Sequence, residues 1–126
     1  MREIVITLFI ILASCSKEGA VSWPSLRSRA QKGDPTFSIV LAEKIGGGPK
    51  CVGETPSLSY SKGCQKVIRV KVKDIDFLFV GFENAEQAKK EAQRLNQVYY
   101  HNWLIDEVRG EPPLEAFVKN TFGVSF

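Results

Sequence analysis

The pattern that most constrains this fold is a pair of adjacent apolar segments near the middle of the chain. Lys66–Lys73 alternates, with aliphatic residues at the even positions 68–72 and basic residues between them, which is typical of a half-buried strand. Ile75–Phe82 is apolar almost throughout, and its alternation is shifted by one residue. Because such a shift moves side chains to the other face of a sheet, we expect a turn or bulge near Lys73 and Asp74. The pattern predicts two strands, the second of them central.

A helix is predicted to follow the second strand. Asn84 is a good N-cap, and Gln87 stands three residues later, as in a capping box. Apolar residues then recur at steps of three and four, at Ala85, Ala88, Ala92, Leu95 and Tyr99. This stripe predicts an amphipathic helix that reaches Tyr99. Trp103–Val108 is either a further strand or a continuation of that helix.

The remaining segments complete the expected domain, residues 36–126. Thr36–Ile45 is rich in β-branched and aromatic residues and predicts a strand, which the glycines after it must end. Lys50–Gly63 is predicted to be a loop, and Pro112-Pro113 to begin a short C-terminal helix that stops at Gly123. Strands followed by helices predict an α+β fold, with a small antiparallel sheet of three to four strands packed by one amphipathic helix, plus the short C-terminal helix.

The first fifteen residues carry a different signal. Ile4–Leu12 is apolar except for Thr7, comes after Arg2 and Glu3, and is followed by Ala13, Ser14 and Cys15. A stretch of about nine residues is too short to cross a bilayer, which needs roughly 20. It fits the apolar region of a secretory signal peptide that ends in small residues. Leu12-Ala13-Ser14-Cys15 resembles the lipobox of bacterial lipoproteins.

In that family the cysteine thiol is diacylglycerated, the chain is cut just before it, and the new amine is acylated. The resemblance therefore implies a signal peptide at residues 1–14, a lipidated Cys15, and a membrane-anchored protein of the bacterial envelope that faces the periplasm or the cell surface. Two or more acyl chains anchor stably where one does not, since each buried methylene contributes about 0.8 kcal/mol. An ordinary signal peptide and a buried strand of the domain are the alternatives.

Residues 15–35 contain few apolar residues and no regular period, and we interpret them as a tether between the lipid and the domain. Trp23 is unusual for a linker, and either lies at the membrane interface or packs on the domain.

The number of cysteines agrees with lipidation. The chain has three, so at least one has no partner within the chain, and an unpaired cysteine in an exported protein needs a role. Cys51 and Cys64 can then pair in an oxidising compartment, and the alternative is two buried thiols.

Two surface features are candidates for binding. Arg69, Lys71 and Lys73 belong to a basic run without an acid, which either attracts phospholipid or other anionic envelope groups or is a solvated sheet face that deters edge pairing. Tyr100, His101 and Trp103 belong to a dense aromatic patch. Such rings stack on a sugar or a partner loop, or lie in the core with a polar tip toward solvent.

The sequence offers little for catalysis or metal binding. His101 is the only histidine and has no ligand spacing around it. A Cys–His dyad would need a reduced cysteine, against the expected compartment. The acid pairs Asp74/Asp76 and Asp106/Glu107 are sequence neighbours that indicate no acid–base geometry. The net charge of +3 is too mild to indicate nucleic acid. We therefore expect no enzyme, metal, cofactor or nucleic-acid partner.

Phe79-Val80-Gly81-Phe82, followed by a helix with spaced alanines, resembles half of a SPOR domain, a family that binds denuded peptidoglycan. The other half would need a helix between Ile45 and Lys66, where this sequence has glycines, prolines and two cysteines. The function we expect is that of an envelope lipoprotein with a non-catalytic protein-binding domain, serving as an assembly accessory, inhibitor or exclusion factor. A peptidoglycan- or glycan-binding module is the second hypothesis, and a small hydrolase is the third.

Overall fold

The computed structural model describes residues 20–40, 50–52 and 59–126. Within these ranges the chain forms, in order, α1 (Trp23–Gly33), β1 (Ser38–Ile39), β2 (Cys64–Val72), β3 (Ile75–Phe82), α2 (Ala85–Leu95), β4 (Val98–Tyr100), β5 (Trp103–Asp106) and α3 (Pro112–Phe122). The strands pair antiparallel in one sheet, in the order β1-β2-β3-β5-β4. The predicted α+β class with an antiparallel sheet is confirmed. The described sheet has five strands rather than three or four, and a third helix precedes it.

The β2–β3 hairpin forms the centre of the sheet. Val72 pairs with Ile75, so Lys73 and Asp74 are the two turn residues, with φ of 51° and 65°. Positive φ at both central positions is the geometry of a type I′ turn, whose twist matches that of the flanking strands. The predicted turn is therefore confirmed, and β3 has a strand on each side as expected of a central strand.

Helices cover both faces of the sheet. On the face that we call the α1/α3 face, apolar residues of both helices pack on β2, β3 and β5 in one aromatic-rich core, which includes Leu26, Ala30, Val70, Phe77, Phe79, Trp103, Ile105, Leu114, Phe117 and Phe122. On the opposite face, the α2 face, Ala88 and Ala92 pack on Leu78, Val80 and Leu104. Small alanines allow α2 to lie close to the strands. Each face thus has its own buried cluster.

The predicted start of α2 is confirmed, whereas its predicted end is wrong. The Asn84 side chain accepts a hydrogen bond of 2.9 Å from the Gln87 amide, which caps the helix. The helix ends at Leu95 because Asn96 adopts the left-handed conformation, with φ of 57°. Tyr99 therefore lies in β4, and the undecided segment after it forms the strand β5.

The N-terminal boundary of the domain requires the largest correction. Residues 15–35 are predicted to be a tether, yet Trp23–Gly33 is a helix whose Leu26 and Ala30 are completely buried. Ser22 is its N-cap and Pro24 lies in its first turn, both favourable at a helix start. Trp23 packs on the domain, against Phe79 and Trp103. The folded domain thus begins before Thr36.

Several other predictions concern the ends and loops of the chain. The strand predicted for Thr36–Ile45 is seen as the short β1, and positions 41–45 lie outside the described residues, as do the signal peptide and Cys15. Cys51 and Cys64 form the predicted disulfide. The C-terminal helix begins at Pro112 and is capped by Gly123, as predicted. In the part of the chain that is described, no helix is long and apolar enough to cross a membrane.

Candidate binding groove

The fold separates the members of the predicted aromatic patch. Trp103 is only 4% exposed and lies in the α1/α3 core. Its indole Nε1 donates a hydrogen bond of 2.7 Å to the Val21 carbonyl. Its ring also covers Gly81, where a Cβ atom would come within 2.9 Å of it. Trp103 is therefore a core residue, and the prediction that it offers a binding surface is wrong.

The basic run is divided as well. Arg69 and Lys71 alternate with the core residues of β2 and so lie on the α2 face, half-buried. The β2–β3 hairpin places acids beside the run, because Lys71 lies opposite Asp76 and 4.0 Å from Asp74. Lys73 instead forms a salt bridge with Asp34, which is 8% exposed. These three residues thus form no common cationic surface.

Tyr100 and His101 do lie together, at the β4–β5 turn. Their rings make an edge contact with centroids 4.4 Å apart, and Tyr100 also packs on Phe122 at 4.9 Å. The Arg29 guanidinium of α1 stands 5.6 Å from the Tyr100 ring centroid, within the range of a cation–π interaction. His101 has φ of 54°, a left-handed conformation that is uncommon for a residue other than glycine.

Tyr100 and Arg29 belong to a groove of about 980 Å³ between α1, the end of β4 and the last turn of α3. We call it the α1 groove. Half of its other lining residues have hydroxyl or amide side chains, and Lys32 is a further cation; the polar residues are Ser22, Ser25, Ser28, Asn120 and Thr121. Arg29 and Lys32 are its charged residues, and no Asp or Glu is among the residues that line it.

Arg29 is held in place at this surface. One of its terminal nitrogens donates to the Thr121 carbonyl at 3.3 Å, and its guanidinium plane covers the Tyr100 ring. A guanidinium has five donors in a rigid fork that suits a carboxylate or phosphate. Since one backbone carbonyl uses little of this capacity, Arg29 can also receive an anionic group. Lys32, one turn along α1, is exposed and provides a second charge.

The wall of the groove formed by α1 is fixed at its N-terminal end. The Val21 amide donates to Asn102 Oδ1 at 2.6 Å, while the Val21 carbonyl accepts from Trp103. Asn102 is 9% exposed, and its Nδ2 donates to the Phe82 carbonyl at 3.2 Å. We call this arrangement the Val21 clip. It joins the start of α1 to the end of β3 and the start of β5.

A second set of bonds fixes the C-terminal end of α1. Asp34 accepts hydrogen bonds from the Lys73 ammonium and from both the hydroxyl and the amide of Thr36. These bonds, first that from Lys73 and then those from Thr36, lower the pKa of Asp34 to about 2. The carboxylate is therefore charged at every physiological pH, and α1 is tied to the β2–β3 turn.

A buried polar cluster on the α2 face is satisfied by the fold itself. Glu91, 1% exposed, accepts hydrogen bonds from Arg94 at 2.6 and 2.7 Å and from the Ser61 amide at 2.9 Å. Burial alone would raise the pKa of Glu91, but these bonds outweigh it and keep the pKa low. The Tyr60 hydroxyl donates to Asp106 at 2.6 Å. The cluster holds the disulfide segment on α2 and leaves no buried group open for a ligand.

Among the described residues, no group of three or more His, Cys, Asp or Glu side chains is arranged to hold a metal ion.

Sequence reasoning identified Tyr100 and His101 but missed Arg29 and Lys32, which it placed in the tether. The signal that could have found them is the N-cap Ser22 with Pro24 in the first turn, followed by the apolar pair Leu26 and Ala30 four residues apart.

Comparisons of the chain with known protein families, with curated proteins and with solved structures found no match in any of the three.

Proposed function

We propose that this protein is an envelope lipoprotein, anchored through Cys15, whose domain binds an acidic segment of another envelope protein in the α1 groove. The observation that carries the binding proposal is the charge of the groove, which has two cations and no acid among its lining residues. Assembly accessories, inhibitors and exclusion factors all act through such protein contacts. The lipid anchor is supported by the lipobox resemblance of Leu12–Cys15 and by the Cys51–Cys64 disulfide, which is typical of exported proteins.

The chemistry of the groove suits a peptide chain that carries carboxylates. Arg29 can bind a carboxylate through two parallel hydrogen bonds. The hydroxyl and amide side chains of Ser25, Ser28 and Asn120 can pair with the amides and carbonyls of an extended backbone. Tyr100 adds an apolar ring at the floor. Because hydrogen bonds to charged groups contribute about 1.5–3 kcal/mol each, loss of one such contact changes affinity by roughly tenfold or more.

Lipidation is tested by expressing the full chain in bacteria with an alkyne-labelled fatty acid. Wild type should incorporate the label and fractionate with membranes, and Cys15→Ala should lose both properties. Ser16→Ala is the matched control and should behave as wild type. A wild-type protein that is unlabelled and free of the membrane would contradict the anchor proposal, whatever the groove binds.

Groove binding is tested with the mature chain carrying Cys15→Ala, titrated with an aspartate- and glutamate-rich peptide. Arg29→Glu with Lys32→Glu should weaken binding at least about tenfold, because both charges that face the peptide are reversed. Lys89→Glu with Lys90→Glu makes the same change in net charge on exposed positions of α2 and should have little effect. Equal losses in the two double variants would show that only net charge matters and would rule out a site in the groove.

A glycan is the second candidate, favoured by the Tyr100–His101 ring pair beside several hydroxyl side chains. Aromatic rings with nearby polar groups stack on sugars and hydrogen-bond their edges. Sedimentation with purified peptidoglycan separates the two proposals. Binding that is abolished by Tyr100→Ala and unaffected by the charge reversal of Arg29 and Lys32 would favour the glycan over the acidic peptide.

A further inference from the structure

The Val21 clip determines how much chain separates the domain from the lipid. Val21 is bound through both its amide and its carbonyl, so the folded domain begins there. Five residues, 16–20, lie between Cys15 and Val21. At roughly 3.3–3.6 Å per residue, the chain from Cys15 to Val21 spans at most about 22 Å even when fully extended. The tether is thus much shorter than the 15–35 segment predicted from the sequence.

The domain is larger than its tether. A domain of about 100 residues has a radius of gyration of about 13 Å, and hence a diameter of roughly 30 Å. The tether enters at one end of the sheet, which we call the clip end. Phe82, the last residue of β3, lies there because Asn102 bonds to it. The β2–β3 turn lies at the other end, since β3 is eight residues long and carries the chain about 25 Å away.

The clip end carries the β4–β5 turn, the bulge between Cys64 and Lys66, and the start of α2. Its exposed charges include Lys62, Lys66, Glu83 and Glu86. Lys62 and Lys66 balance Glu83 and Glu86, so these four charges do not by themselves orient the domain toward an anionic surface. The short tether is the feature that sets which end meets the membrane.

From this geometry we infer that the clip end lies against the bilayer, so that the β4–β5 turn meets the lipid headgroups and the α1 groove begins near them and extends along α1 toward the opposite end. The inference rests on the proposed lipidation of Cys15. It also narrows the proposed partner, because the end of the groove lined by Val21 and Tyr100 then lies near the headgroups, where a protein of the same membrane can present an acidic segment.

The test uses the full lipidated protein, purified from membranes and reconstituted in phosphatidylcholine vesicles with a nitroxide-headgroup lipid. Glu86→Cys and Asp76→Cys place a fluorophore at the clip end and at the opposite end, and both remove one negative charge from an exposed position. Quenching at position 86 should be at least about twofold stronger than at position 76, because the two positions are separated by most of the length of a strand. Equal quenching, or stronger quenching at position 76, would overturn the inference.

A second variant tests whether the tether is the cause. A Gly/Ser linker of about ten residues inserted between Lys17 and Glu18 lets the domain move away from the surface. Quenching at position 86 should then fall toward that at position 76. Unchanged quenching would overturn the tether as the orienting feature. Intact mass reports the acyl chains in each sample, so a protein that lacks lipid contradicts the proposed function rather than the orientation.

Discussion

The two helices on the α1/α3 face are alike in length and position but are held in different ways. Both have eleven residues and a proline in the first turn. α3 buries four apolar side chains, Leu114, Phe117, Val118 and Phe122, whereas α1 buries Leu26 and Ala30 alone. α1 is instead fixed beyond its ends, by the Val21 clip and by the bonds of Asp34. A helix can therefore belong to a core through a long stripe of buried apolar side chains or through bonds at its ends, and the second kind leaves the weaker pattern in the sequence.

The largest effect is expected when a buried side chain of either helix is truncated. Truncation in α3 should destabilise the whole domain, whereas truncation in α1 should mainly release that helix. Phe117→Ala removes a fully packed ring and should lower the free energy of unfolding of the whole domain by about 3–5 kcal/mol, out of the 5–15 kcal/mol usual for a domain. Thermal melts measure this loss.

Leu26→Ala should mainly release α1, with loss of hydrogen-exchange protection in that helix while β2 and β3 stay protected.

Lys119→Ala and Arg27→Ala are the matched surface controls, since both side chains are exposed, and each should change stability by no more than about 0.5 kcal/mol. If Leu26→Ala lowers protection in α1 and in the sheet by equal amounts, α1 is part of the global unit and the contrast between the helices does not hold.

A smaller effect is expected when the clip is opened. Asn102→Ala removes the acceptor of the Val21 amide and the donor to the Phe82 carbonyl, and such a loss costs about 1–3 kcal/mol. Exchange protection of the first turn of α1 should fall while that of α3 is kept. Asn120→Ala, an exposed position on α3, is the control. Full protection of α1 in Asn102→Ala would show that its two buried side chains suffice to hold it.

The smallest effect should be a loss of stability at low pH, caused by Asp34 at the C-terminal end of α1. The pKa of Asp34 is lowered from 3.8 to about 2, chiefly by the hydrogen bond from Lys73. A lowered pKa stabilises the fold fully above the unfolded value, and this stabilisation is lost as the pH falls from about 4 to about 2. Wild type should therefore lose more stability than Asp34→Asn over that window. Parallel melting curves of the two proteins through this range would contradict the role given to Asp34.

The sequence predicts well those parts of the fold that are decided locally. The alternation in β2, the turn at Lys73 and Asp74, the cap at Asn84 and the limits of α3 all depend on neighbouring residues, and all are confirmed. The end of α2 was missed because Tyr99 fits the helical period by chance. The left-handed residue Asn96 ends the helix, and asparagine is also common within loops and turns.

The candidate site could be predicted only in part, because some of its residues are brought together from distant parts of the sequence. Tyr100 and His101 are adjacent in the sequence, so their pairing could be anticipated. Arg29 reaches Tyr100 from a helix about seventy residues earlier, and that helix depends on bonds to Asn102, Trp103 and Lys73. Trp103 was misjudged because the partner of its indole nitrogen, the Val21 carbonyl, lies 82 positions earlier in the chain.

The Val21 clip also has a consequence for the order in which the domain assembles. Its bonds join residues 81 and 82 positions apart, whereas the β2–β3 hairpin closes through two turn residues. Because contacts between distant residues require a large loss of chain entropy before they form, the hairpin should fold early and α1 should dock last. The clip cannot close until Trp103 has been synthesised. Because α1 is made about eighty residues earlier than its partners in the clip, it waits undocked until most of the chain is complete.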